Sequence, residues 1–162
     1  MTVTEPNLWT IKNKIISILQ TDATLWQEDN HEVGFTEMLV GLPAENEFKG
    51  LTYPICYVTN DKRLEDDKIL GAQNGAEIGA SKHVYKFRII FFDQQATGAD
   101  VEESLDALYK KIKEVLKENF QLGSVENIIT SYPVEGHSFN FGEFEGQPID
   151  GREIVLEVVA TS

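Results

Sequence analysis

The sequence holds a single cysteine, Cys56, so no internal disulfide can form. Cys56 sits in an apolar, β-forming run, which marks it as a small buried side chain rather than a reactive thiol. Histidine is almost as scarce. His31, His83 and His137 stand far apart, and neither His-x-x-x-His nor Cys-x-x-Cys spacing occurs, so nothing local frames a metal site. Basic residues are few, with 14 Lys and Arg against 27 Asp and Glu and a formal net charge of −13. So negative a chain repels phosphates and anionic lipids, which argues against nonspecific binding to nucleic acid or to a membrane. No apolar run approaches the ~20 residues that a membrane-spanning helix requires. The opening MTVTEPN lacks the basic and apolar regions of a signal peptide. The expectation is an intracellular, or intracellularly assembled, protein.

Motifs that carry chemistry are also missing. Glu65, Asp66 and Asp67 cluster, but without the oxygen-ligand spacing and the glycine of a calcium loop. Gly71, Gly75 and Gly79 recur at four-residue steps, unlike a dinucleotide loop, and no P-loop lysine follows them. Ser138 lies in Gly-His-Ser-Phe-Asn, which is no nucleophile elbow. A fold can bring Glu143, Glu145 or Asp150 together, but their spacing gives no reason to expect it. The reading is of a protein that is not an enzyme, with no cofactor and no metal.

What is present is a well-patterned chain of 162 residues, 41% hydrophobic and 10% aromatic, enough for one domain with a substantial core. The strongest signal runs from His83 to Phe120. In HVYKFRIIFFD, Tyr85, Phe87, Ile89 and Phe91 alternate onto one face of a strand. The other face starts with Lys86 and Arg88 and turns apolar at Ile90 and Phe92, so the second half is expected to be buried on both sides. A long helix follows, with Val101, Leu105, Leu108, Ile112, Val115, Leu116 and Phe120 on one face. Asp100 reads as its N-cap, with Glu103 as the reciprocal partner, and Gly123 as its stop signal.

The rest can be read around this pair. Thr4 and Pro6 open a first helix whose stripe is Leu8, Ile11, Ile15, Ile18 and Leu19, widened by Trp9 and Ile16; a short helical turn from Asp22 takes in Leu25 and Trp26. Phe35 to Val40 reads as a strand, and Tyr53 to Thr59 as a central one with Pro54 at its start. Residues 61–82 form a long connection, read as an extended hairpin arm or a mobile loop. Its apolar Leu64, Ile69, Leu70 and Ile78 follow no amphipathic period, which marks them as contacts to another subunit or partner. Val125 to Tyr132 reads as a strand broken by Pro133 and Gly136, and Ser138 to Phe144 as another piece, with a bulge at Gly142. Residues 145–151 are dense in turn formers, and Arg152 to Thr161 closes as a strand with Glu153 and Glu157 on a partly wet face. The order gives an α+β fold, an antiparallel or mixed sheet with helices on one side.

Two segments taken together carry a likeness. The first helix is followed by a strand and by Tyr-Pro-Ile-Cys-Tyr-Val, residues 53–58; the unit YKFRIIFFD–helix–GREIVLEVVA then ends in a strand introduced by an Asp-Gly turn. This order resembles the tail terminator (tail completion) proteins of long-tailed phages and related minor tail proteins, and covers most of the chain. The 61–82 arm departs from that pattern. The resemblance implies a virion protein assembled in the host cytoplasm as a six-fold ring, which caps the tail tube and offers a surface to the head-completion protein. It implies no catalysis and no cofactor, and DNA would pass through the ring without being specifically bound. A non-enzymatic module that binds a protein or peptide is the other reading that the residues allow.

Overall fold

Tyr85, Phe87, Ile89 and Phe91 are all fully buried, and they sit on the strand around which the sheet is built. In the computed structural model, which describes residues 7–30, 33–42, 52–69, 81–123 and 127–161, without the side chains of 62–69, 81, 141 and 144, the elements follow in the order α1 (Leu8–Leu19), β1 (Glu37–Val40), β2 (Ile55–Ile69), β3 (Ser81–Gln94), α2 (Gly98–Glu118), β4 (Ile128–Phe144) and β5 (Gln147–Thr161). The five strands of the described residues form one sheet, ordered β1-β2-β3-β5-β4. β1 runs parallel to β2 and every other pair is antiparallel, so the sheet is mixed and the class is α+β.

Both helices pack on one face. There the strand rows line up in register: Val58 opposite Ile89 opposite Ile154, and Tyr85 opposite Val158. Against them lie Ile11, Ile15, Ile18 and Leu19 of α1 and Val101, Leu105, Ile112, Val115 and Leu116 of α2, in one apolar cluster. Removing this much aliphatic and aromatic surface from water is what holds the helices to the sheet. The opposite face carries a smaller cluster of Ile55, Tyr57, Ile90 and Phe92. The second half of β3 is therefore buried on both sides, as its sequence predicts.

Several expectations are corrected. The N-cap of α2 is Thr97, whose hydroxyl accepts from the Asp100 backbone N–H at 3.2 Å, three residues ahead of the expected cap. Thr97→Ala should therefore lower stability by about 1 kcal/mol, read as a lower urea midpoint at unchanged m-value. Phe120 lies past the end of α2 and is 52% exposed rather than part of its buried face. On α1 the cap is Asn7, whose side chain accepts from the backbone N–H groups of Trp9 and Thr10; the expected Thr4 and Pro6 lie outside the described residues. Trp9 points out, 60% exposed, instead of widening the stripe. Leu25 is fully buried, held in a turn in which it and Trp26 both donate to the Asp22 carbonyl.

Of Tyr53 to Thr59, the stretch from Ile55 is strand and opens β2, which sits second in the sheet and continues to Ile69, while Tyr53 and Pro54 precede it; the central strand is β3. Much of the 61–82 connection is thus strand, with Glu65 to Ile69 paired to Tyr85 to Ser81 beyond an irregularity after Asn60. β4 runs unbroken through Pro133 and Gly136 as one 17-residue strand. It can do so because it lies at the sheet edge, where a missing N–H costs no ladder bond, and because three register shifts absorb the misfit. The last of these spans Gly142, at φ +86°.

The turn before the last strand is Glu145-Gly146, with φ of +53° and +78°, linking paired Phe144 and Gln147. Positive φ at both central residues gives the turn the twist that a two-residue hairpin needs. Asp150 and Gly151 belong to β5, opposite Asp93 and Phe92, so no Asp-Gly turn introduces that strand.

Candidate interaction surfaces

Three places on the scaffold gather polar or exposed apolar side chains. The first is the end of the helix-covered face where β3 runs out. Asp93 is fully buried, and its carboxylate accepts from the Ser104 hydroxyl at 2.5 Å, from Gln95 Nε2 at 2.9 Å and from the Gln94 backbone N–H at 2.8 Å. Nearby on β5, Arg152 is buried to 7% exposure and donates through Nη2 to Glu102 Oε2 at 2.7 Å and Asp106 Oδ1 at 3.3 Å on α2. These bonds pin the first half of α2 to the sheet.

Of Glu143, Glu145 and Asp150, the fold buries Asp150, directly opposite Asp93, while Glu143 and Glu145 lie exposed at the hairpin end. Among the described residues no group of three or more His, Cys, Asp or Glu side chains could hold a metal ion. His83 is buried and stacks on Tyr85 with ring centroids 5.9 Å apart, whereas His137 is exposed beside Glu135. Cys56 is buried, and burial pushes its thiol up to about 12, so it is protonated at any ordinary pH.

The second place is the sheet face opposite α1 and α2. Beside its apolar cluster, Arg88 Nε and Nη2 donate to Glu153 Oε1 and Oε2 at 2.9 and 2.8 Å, a two-pronged pair. Glu153 is 6% exposed, so the face expected to be wet is closed there by an ion pair. The hydrogen bonds to Glu153 raise the pKa of Arg88 further, against the opposing effect of its burial.

The third place is the pair of sheet edges. At one, β4 leaves Ile129, Tyr132 and Val134 at 45%, 54% and 44% exposure. The turn after α2 reaches this edge, where the Ser131 backbone N–H donates to the Phe120 carbonyl at 2.5 Å and sets exposed Phe120 beside it. Lys117 Nζ stands 5.7 Å from the centre of the Tyr132 ring, close enough for a cation–π contact. At the other edge, β1 leaves Leu39 at 49% exposure and Leu42, just past it, at 48%, with Glu37 also exposed. An exposed edge with apolar side chains is a template for another chain.

Of the expected contact residues, Leu64 and Ile69 lie on the backbone of β2 with side chains outside the described part, and Leu70 and Ile78 lie outside the described residues altogether. Sequence reasoning missed the edge residues Ile129, Tyr132 and Val134. Pro133 was the available signal, because proline within a strand points to an edge.

No protein-family model matches the chain, and no curated protein matches it. Among solved structures it is similar to a chain of the virion of a native gene transfer agent particle, with a TM-score of 0.55 and 13% sequence identity over 93% of this chain and 94% of that one. At that identity the likeness is one of fold.

Proposed function

We propose that the chain is a structural subunit of a phage-type virion, and within it a tail terminator that caps the tail tube and joins it to the head-completion protein. The observation that carries this reading is a fold shared end to end, over 93% of the chain, with a component of a gene transfer agent virion. The element order that resembles tail terminators supports the finer placement. The free apolar edges suit a subunit whose stability in the particle comes from neighbours. The role needs no catalytic step, cofactor or membrane. Its partners would be further copies in a six-fold ring, the tube protein and the head-completion protein, with the apolar residues of the 61–82 arm among the contacts. The acidic balance suits a ring that DNA must traverse without being held.

The experiment is to purify tailed particles from the organism that makes this chain, identify their proteins by mass spectrometry, and label them with a specific antibody under the electron microscope. The chain should be present at low copy number, with label at the head–tail junction alone. Label along the whole tube would overturn the terminator placement, and absence from the particles would overturn the virion reading. A second reading, a module that binds a protein or peptide, is favoured by the exposed apolar Ile129, Tyr132 and Val134 of β4.

A further inference from the structure

The β4 edge is built for contact through side chains rather than for an added strand. The ladder to β5 passes from Ile128 to Thr130 and from Pro133 to Glu135, so exposed Ile129 and Val134 are both bulge residues. With Pro133 between them, they interrupt the row of backbone groups that a further strand would need. The charges beside them fall on two sides. Leu156 and Val158 belong to the cluster under the helices, so Glu157 between them projects from the opposite face. Glu135, paired to Val155, projects there too; its side chain is 58% exposed, with His137 Nε2 at 3.1 Å. Lys113 and Lys117 stand on the helix side. Four residues apart, they share the flank of α2 toward β4, 5.4 Å from the centre of the Tyr109 ring and 5.7 Å from that of Tyr132. Glu114 and Glu118 lie about 100° further round the helix. There Glu114 stands 3.8 Å from Lys111, which reaches Asp22 beyond the end of α1. The two signs are also level along the strand. Lys117 is level with Tyr132, which pairs with Glu157. Lys113 is level with Gly136, next to Glu135, since the Tyr109 hydroxyl lies where a side chain at Gly136 would be.

We infer that the β4 edges of two copies meet about a two-fold axis parallel to the strand, with the helices of the two copies on opposite sides. That rotation keeps every residue at its own level and exchanges the two sides. Lys117 of one copy then faces Glu157 of the other, and Lys113 faces Glu135, in both directions. Ile129, Tyr132 and Val134 lie between these pairs and are withdrawn from water. The occupant is a second copy because the edge, with its two signs level and on opposite sides, is complementary to itself. A two-fold perpendicular to the sheet would instead set lysine beside lysine. A chain of net charge −13 repels its own copies over most of its surface, and at this edge Lys113 and Lys117 cancel Glu135 and Glu157. A two-fold contact closes at two copies, so it is distinct from any contact that builds a ring. The inference therefore goes beyond the virion reading and does not rest on it: it describes the free subunit, with its apolar edge covered.

The test uses the full chain in sedimentation velocity over a wide concentration range, with circular dichroism to check that each variant is folded. The unaltered chain should associate reversibly into a dimer. Lys113→Glu with Lys117→Glu should weaken association at least ~100-fold, and Glu135→Lys with Glu157→Lys should do the same, because each puts like charges face to face. An equimolar mixture of the two double variants should form a heterodimer. One chain carrying all four substitutions should again pair with itself, since exchanging both signs restores the match. Val134→Cys, level with its own copy across the axis, should give a disulfide-linked dimer in oxidised glutathione, while Cys56 is buried and does not compete. That variant leaves every charge in place and decides the matter if the charge variants misfold.

A monomer at every concentration would overturn the inference, and so would double variants that associate at unaltered strength. Failure of the four substitutions together to recover association would overturn the charge match. A chain that dimerises while Val134→Cys gives no linked dimer would overturn the two-fold arrangement. None of these results bears on the virion reading, which the protein content of the particles decides.

Discussion

Gly34→Ala should destabilise the fold by about 2–5 kcal/mol, the sum of a strained left-handed residue and an overpacked contact. Gly34 has φ +72°, and a Cβ there would stand 2.2 Å from the Leu25 carbonyl oxygen, 2.3 Å from its carbon and 2.8 Å from the Thr24 oxygen. These are backbone atoms, which cannot rotate aside as a side chain can. The same carbonyl of Leu25 accepts from the Phe35 N–H at 2.8 Å, so relief of the clash means loss of that bond. Behind it stand two fully buried side chains, Leu25 and Phe35, the latter edge-on to Phe91 with ring centroids 6.0 Å apart. Gly41 supplies the control. Its φ is +86° but nothing lies within 4 Å of its missing Cβ, so Gly41→Ala should cost only the backbone strain, about 1 kcal/mol. Urea unfolding of both variants decides the matter, and equal losses would show that the contact with Leu25 carries no weight.

Arg88→Met has the second large effect, expected at about 2–4 kcal/mol. It leaves the Glu153 carboxylate, with 7% of its side chain exposed, without its two donors, whereas the Arg88 side chain is 30% exposed and can turn to water. The asymmetry predicts that Glu153→Gln costs clearly less than Arg88→Met, because the half that remains is then the solvated one. Replacing both residues together, Arg88→Met with Glu153→Leu, should recover most of the loss, since an apolar pair can occupy the space without a stranded charge. Thermal and urea unfolding of the three variants test the order. An Arg88→Met loss no greater than that of Glu153→Gln would mean that water already reaches Glu153.

The parts of this fold that could be read from the sequence are those whose signal is local. In β3, Tyr85, Phe87, Ile89 and Phe91 alternate without interruption, and in α2 the helical period holds from Val101 to Leu116; both elements stand where the pattern puts them. β4 was not legible in the same way. Pro133 and Gly136 are local breaks, and only the sheet order, which places the strand at an edge, makes them harmless. At residues 145–151, four turn-forming residues, Gly146, Pro148, Asp150 and Gly151, compete, and the backbone turns at Glu145-Gly146, bringing Phe144 opposite Gln147. The candidate surfaces share this limit. The exposure of Ile129, Tyr132 and Val134 follows from the place of β4 at the end of the strand order among the described residues, a non-local fact that no window of sequence contains.

The strand order also bears on how the chain is made. β5 lies between β3 and β4, and those two have no pairing with each other. Of all the strands, β5 is the last to leave the ribosome. Until it emerges, β3 with its row of aromatic residues and β4 with its apolar margin each offer an unpaired edge, and α2 has only part of the sheet to rest on. Synthesis at about 5–20 residues per second leaves that interval open for seconds. During it, many nascent copies side by side could pair in the wrong partnership, the same edges serving the wrong neighbour. Slowing translation after Phe144 would lengthen the hazard, and a chaperone that shields extended apolar segments would shorten it.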